Sequence, residues 1–185
     1  SLTAPPDWSL SVGQLGRALV LISAGLFIVA LLAWLLGKNR PSMQTVGKVA
    51  FNLGCAGIFG TFTCLAALFL NNRFEYSYVW EHSDNRNAIA YRFAAIWAGQ
   101  QGSFLLWGAC GAIFALLIMR STDKFRRWFT ITYAGFLGAI CGILAYESPF
   151  GLNLVDGKPI VPADGLGLSP SLQNYWVVIH PPTIF

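Results

Sequence analysis

The chain has 185 residues, 55% of them hydrophobic and only 11% charged, with a net charge of +4. A soluble domain carries about 25% charged residues; here the charges cluster between long apolar runs, which excludes an ordinary water-soluble core and indicates a bilayer-embedded chain. No basic stripe interleaved with exposed aromatics accompanies the positive excess, so nucleic-acid binding is excluded and the charge acts as a topology signal.

Residues 1–14 (SLTAPPDWSLSVGQ) lack a basic n-region and a small-residue cleavage site, so no signal peptide is expected. The chain starts at Ser1 and stops at Phe185 just as an apolar segment opens, which suggests part of a longer protein. The first apolar run covers about 14–37. As a helix it extends roughly 35 Å, enough for a hydrocarbon core of about 30 Å. Further runs cover about 46–70, 93–119 and 128–146, and a fifth opens near Pro181. The expected fold is an all-α polytopic bundle of four spanning helices plus the start of a fifth, forming one part of a larger membrane domain. Outer loops at 71–92 and 147–180 complete it.

Connection charges orient the spans. Segment 38–48 holds Lys38, Arg40 and Lys48 without an acid, and 120–127 holds Arg120, Lys124, Arg126 and Arg127 against Asp123. Segments 71–92 and 147–174 balance or invert that excess. The positive-inside rule puts the two basic connections in the cytoplasm and the N-terminus and the other two segments outside, in a bacterium on the periplasmic side of the inner membrane. Gly54, Gly57 and Gly60, and the Gly138/Gly142 pair, are expected to allow close helix approach. Cys55, Cys64, Cys110 and Cys141 lie inside apolar runs without a C-x-x-C pair, so thiol chemistry and metal ligation by cysteine are not expected.

The unusual residues collect on the outer side, where both histidines, His82 and His180, fall. No ionisable group sits in the middle of a span, so a proton relay or voltage sensor is not indicated. Residues 93–107, FAAIWAGQQGSFLLW, place Trp97 and Trp107 around Gln100 and Gln101. An interfacial aromatic belt with a glycine hinge accounts for that pattern, but paired glutamines also need hydrogen-bond partners, as a ligand-facing turn would provide. Residues 170–185 read PSLQNYWVVIHPPTIF. His180 precedes Pro181 and Pro182, so its backbone is expected to be extended, with a helix starting at the prolines. Trp176 and its neighbours make an interfacial stretch beside it. Neutral imidazole at such a ledge suits axial ligation of haem iron; it equally suits an ordinary hydrogen-bonded interfacial histidine. His82, in the polar run EHSDNRN, is expected in a solvated loop.

Two blocks together resemble a known family. EHSDNRNAIA followed by YRFAAIWAGQQGSFLLW is similar to the third-helix region of the large haem-lyase subunit of bacterial cytochrome c maturation, the CcmF/NrfE type. SPFGLNLVDGKPIVPADGLGLSPSLQNYWVVIHPPTIF is similar to that family's outer loop, through Leu172, Gln173, Ile179, His180, Pro181 and Pro182. Where family members commonly carry His-Glu or Gln-Glu, this chain has Gln100 and Gln101. The resemblance implies an N-terminal part of a cytochrome c biogenesis protein that holds haem on the outer face for thioether attachment to apocytochrome c. It implies His180 as axial ligand to the haem iron. Trp97, Gln100, Gln101, Trp107 and Trp176 would line the haem. Arg92, with Arg73 and Arg86, would be donors to its propionates. The implied partners are haem, apocytochrome c, and the haem chaperone and thiol-reducing members of the maturation system. Two rivals stand beside it: a transporter or channel subunit with its polar pathway elsewhere in the protein, and a scaffold that docks partners through its helices. Reporter fusions test the orientation on which the first reading depends: one inserted at 120–127 is expected on the cytoplasmic side and one at 147–174 on the outer side, and the reverse result would remove His180 from the outer face.

Overall fold

A computed structural model describes residues 4–121, 125–168 and 175–184. Four helices are long and apolar enough to cross a membrane: α1 (Asp7–Leu36), α2 (Pro41–Leu70), α5 (Gln100–Ser121) and α6 (Arg126–Tyr146). Between α2 and α5 lie the short helices α3 (Ser77–His82) and α4 (Ile89–Ala95). After α6 come a two-stranded antiparallel hairpin, β1 (Leu154–Val155) with β2 (Lys158–Pro159), and then α7 (Trp176–Ile184). The all-α membrane bundle expected from the sequence is the observed fold.

Helix α1 packs on α2 and α6, and α5 packs on α6 and α2. The α1–α2 seam is made by small residues. Gly54 leaves room for the Phe27 ring, where an added Cβ would meet Cε1 at 2.9 Å; Gly57 faces the Ser23 hydroxyl, and Gly60 faces Leu19. Without a hydrophobic force between helices in lipid, such close approach gains its energy from dispersion contacts. Phe27 and Phe51, both fully buried, meet edge-on at 5.6 Å in the same seam. In α6 only half of the expected glycine pair is used: Gly138 approaches Phe27, whereas Gly142 faces open space. Leu21, Ile22, Val29 and Leu32 of α1, and Ile113, Phe114 and Leu117 of α5, are exposed, as lipid-facing side chains must be.

Helix ends are closed by side chains. Pro41 opens α2, where its fixed φ suits a first turn and its missing N–H leaves no bond unmade. Gln44 Nε2 donates to the carbonyls of Gly37 (3.1 Å) and Lys38 (3.0 Å), and Arg127 donates to those of Trp34 (3.1 Å) and Leu35 (3.2 Å). These bonds satisfy carbonyls that the end of α1 leaves without intrahelical donors.

The observed boundaries differ from the hydropathy reading in instructive ways. Helix α1 begins at Asp7 rather than near residue 14, and α2 at Pro41 rather than near 46, because polar residues that end an apolar run do not end a helix. At 30 residues, α1 is about 45 Å long, so its N-terminal turns extend past a hydrocarbon core. The run expected as one helix over 93–119 is broken at Ile96–Gly99 into α4 and α5. The segment 71–92, expected as a loop, folds into α3 and the start of α4. His180 is helical in α7, not extended, and that helix starts at Trp176 rather than at the prolines. The pre-proline restriction is a steric bias; a short helix can absorb it by giving up the two N–H bonds at Pro181 and Pro182.

The segments 74–83 and 150–167 are zipped together over the N-terminal end of α1. Ser77 N–H donates to Gly151 O (2.9 Å) and Asn153 N–H to Glu75 O (2.7 Å), around a single bridge between Tyr76 and Leu152. Leu166 N–H donates to Trp80 O (2.8 Å) and Gly167 N–H to Ser83 O (3.1 Å). The cap is anchored to α1 where Tyr76 lies on Gly13 and Phe150 on Gly16. The Ser9 hydroxyl donates to buried Glu75, which also takes Arg73 Nε at 3.0 Å. Gly54→Val should force the Phe27 ring out of its seat and destabilise the bundle by about 1–3 kcal/mol, read as a lower denaturation midpoint in detergent; an unchanged midpoint would show that the seam is looser than described.

Candidate functional site

The break between α4 and α5 organises the end of the bundle at which α5 begins. Interrupting a helix leaves N–H and C=O groups without intrahelical partners, and where they are buried they need others. Here one side chain serves both sides of the interruption. The Tyr78 hydroxyl, on α3, donates to Ile96 O at 2.8 Å and accepts the Gly99 N–H at 3.2 Å and the Gly102 N–H at 3.1 Å. Ser103 Oγ adds a donor to Trp97 O at 2.9 Å. The approach requires glycine: a methyl at position 102 would collide with the Ile96 carbonyl, and one at 99 would lie 2.7 Å from Tyr78 Cε2 and 2.6 Å from His82 Nε2. Burial pushes the Tyr78 phenol upward, so the hydroxyl keeps the proton that it donates.

His82 is therefore not the solvated loop residue expected from its polar run. It ends α3 half-buried, its ring 4.6 Å from that of Tyr78. Its Nδ1 lies 2.8 Å from the Tyr78 carbonyl, which can only accept, so Nδ1 carries the proton in the neutral ring and Nε2 presents its lone pair beside Gly99. The signal that could have found it is the four-residue spacing from Tyr78, which puts both rings on one face of a helix.

Around the break, the residues singled out by sequence separate into groups. Trp97 is 5% exposed and stands edge-on to Phe93 at 5.3 Å, so it belongs to the packing under the break. Gln100, Ser103, Phe104 and Trp107 line one mostly apolar groove of about 270 Å³ along the first turns of α5. Gln101 is half-buried and does not line that groove. Arg92 is largely committed to local structure: Nε donates to Asn87 O at 2.9 Å and Nη2 to Asn85 O at 3.2 Å. Arg73 pairs with Glu75 and lies 5.5 Å over the Trp8 ring. The Arg86 side chain is exposed, with no hydrogen bond among the described residues.

His180 and Trp176 ride on α7, which packs against both α4 and α5, across the break. The His180 imidazole is exposed, and among the described residues neither of its nitrogens has a partner; its carbonyl accepts from Thr183 Oγ1 at 2.8 Å. Tyr175, Trp176 and Ile179 are also exposed, giving an apolar surface beside the imidazole. The arrangement thus offers an available imidazole, aromatic faces, and a groove floored by α5. Leu172 and Gln173 lie outside the described residues.

Comparison with known proteins supplies an independent measure. No family model matches the chain. The cytochrome c-type biogenesis protein CcmF of Escherichia coli (strain K12) is 27% identical over 179 residues, which is 93% of this chain and 27% of that protein. The cytochrome c-type biogenesis protein NrfE of Haemophilus influenzae is 29% identical over 176 residues, covering 90% of this chain and 26% of its own length. The solved structure of the cytochrome c heme lyase CcmF shares the fold with a TM-score of 0.73 at 18% identity, over 92% of this chain and 27% of that one. The chain thus spans about a quarter of the length of the relatives it matches.

Tyr78→Phe should cost about 2–4 kcal/mol, because three backbone groups lose their partner at once. Its signature is in alkali. A phenol whose acidity is weakened by folding stabilises the protein fully below the ordinary tyrosine value of about 10, and that stability is lost as pH rises above it. Tyr76, pushed up to about 12 chiefly by burial and next by Glu75, contributes in the same direction. Denaturation midpoints measured between pH 8 and 11 should therefore fall for the wild type and fall less steeply for Tyr78→Phe; parallel profiles would contradict the role given to Tyr78.

Proposed function

Since the chain is a relative of the CcmF, NrfE and CycK cytochrome c-type biogenesis proteins, we propose that it works in cytochrome c maturation, presenting haem at the outer face of the bacterial inner membrane. The observation that carries this reading is the His180 imidazole, exposed and without a partner among the described residues, on a helix seated across the α4–α5 break. The residues present fit haem. A neutral imidazole is an axial ligand for iron, Tyr175, Trp176 and Ile179 offer apolar faces to a macrocycle, and the groove at Gln100 and Trp107 adds further apolar wall with an amide at its edge. Haem bound there brings the vinyl groups to which cysteine thiols of apocytochrome c add, each S–H crossing one C=C to give a thioether with no atom lost.

The chain's own contributions are positional. Helix α7 holds the imidazole at the rim of the bundle, and α4 and α5 support that helix. Arg86 is the cation best free to meet a propionate, since Arg92 and Arg73 are already engaged. The cysteines are free, buried or half-buried, and without a disulfide partner among the described residues, in keeping with thiol reduction by other members of the system.

The positive-inside distribution supports the orientation, with the basic connections after α1 and α5 in the cytoplasm and α7 outside. His180→Ala in the intact protein should lower copurified haem and the yield of holocytochrome c at least tenfold, since loss of even a hydrogen-bonding partner behind a metal ligand costs roughly that much. Exogenous imidazole should restore part of the haem absorbance in that variant. Unchanged haem content together with unchanged cytochrome yield would defeat the assignment.

A further inference from the structure

At the opposite end of the bundle from α7, α2, α5 and the start of α6 enclose a cleft of about 530 Å³ that the proposed haem chemistry does not use. Lys48 and Asn52 of α2, Arg120 of α5 and Arg126 of α6 line its mouth, and Ala56, Phe59, Leu116 and Met119 continue it along the helices. Among the described residues no Asp or Glu lines it. Lys48, Asn52, Ala56 and Phe59 follow one another at helical spacing, so the polar mouth grades into an apolar wall along a single face of α2. Arg120 stands in the last turn of α5, Arg126 opens α6 and Lys48 lies about two turns into α2, so the mouth faces the membrane rim at that end and the apolar part points toward mid-bilayer.

We propose that this cleft binds one anionic phospholipid, its phosphate held by Lys48, Arg120 and Arg126, and an acyl chain lying along Ala56, Phe59 and Leu116. Guanidinium forks suit phosphate oxygens, and the ammonium of Lys48 adds a point charge. A free phosphate would use only the mouth; the apolar continuation matches a molecule with both a charged head and a hydrocarbon tail. Basic clefts between membrane helices are the usual recognition sites for such headgroups. Occupancy would wedge α2 and α5 at the end where the α4–α5 break does not hold them, and so support the outer site from below.

The test uses the intact protein, purified and reconstituted in nanodiscs of phosphatidylcholine with a fifth of phosphatidylglycerol, then released for native mass spectrometry. One phosphatidylglycerol should be retained in preference to phosphatidylcholine by roughly a hundredfold, at about fivefold per cation. K48Q/R120Q/R126Q should abolish that preference, while K38Q/R40Q, which removes charge from the same rim outside the cleft, should leave it intact. Ala56→Trp, at an exposed position, fills the apolar wall without touching a cation and should weaken retention even if the triple variant does not fold. Equal loss in K38Q/R40Q, displacement of the lipid by millimolar inorganic phosphate, or retention unaltered by Ala56→Trp would each overturn the proposal. Haem content, read in the same samples, reports on the outer site separately.

Discussion

The structure depends on one hydroxyl group. A helix can be interrupted at a buried position only if something replaces its missing hydrogen bonds, and Tyr78 replaces them with one donor and two acceptor interactions at a single oxygen. Gly102 makes the geometry possible, since the Ile96 carbonyl occupies the space a methyl would take. With the break fixed in this way, α4 and α5 present two ends rather than one continuous rod, and α7 rests on both. The proposed haem-facing imidazole is therefore positioned by a residue that never touches it.

The second organising feature is the attachment of the cap built from residues 74–83 and 150–167 to a membrane helix. Helix α1 is longer than a bilayer core requires, and its protruding turns carry Ser9, Gly13 and Gly16, which receive Glu75, Tyr76 and Phe150. Glu75 is fully buried, with Oε1 committed to Ser9 and Arg73 and Oε2 without a partner among the described residues. A carboxylate so enclosed destabilises any arrangement in which Arg73 swings away. The cap, α3 and the α4–α5 break are thus joined to α1 through one continuous set of contacts.

The fold was largely legible in the sequence because hydropathy and charge segregation are properties of whole segments. Boundaries were less so. The break at Ile96–Gly99 lies inside an apolar run, and its cause is a tyrosine eighteen residues upstream of Ile96; no local pattern encodes that pairing. The same holds for His82, whose polar neighbours suggested solvent while its ring is held against Tyr78. At Arg92 the sequence showed a charge beside an apolar run but not that the Asn85 and Asn87 carbonyls engage it. At His180, the prolines suggested extended backbone, and packing on α4 and α5 prevailed. Gln100 and Trp107 line one groove, and α7, carrying His180 and Trp176, packs on the helix that bears it; the sequence singled these residues out through the family resemblance, and their use in binding is a proposal.

Amide hydrogen exchange at Gly99 and Gly102, followed by NMR on the protein in nanodiscs, tests the Tyr78 hydroxyl most directly. Both N–H groups should exchange as slowly as those inside α2, although Gly99 lies in the break and Gly102 in the first turn of α5. Exchange at the rate of an exposed turn whose N–H groups have no partner would mean that the hydroxyl does not hold the break, and the platform beneath α7 would lose its physical basis.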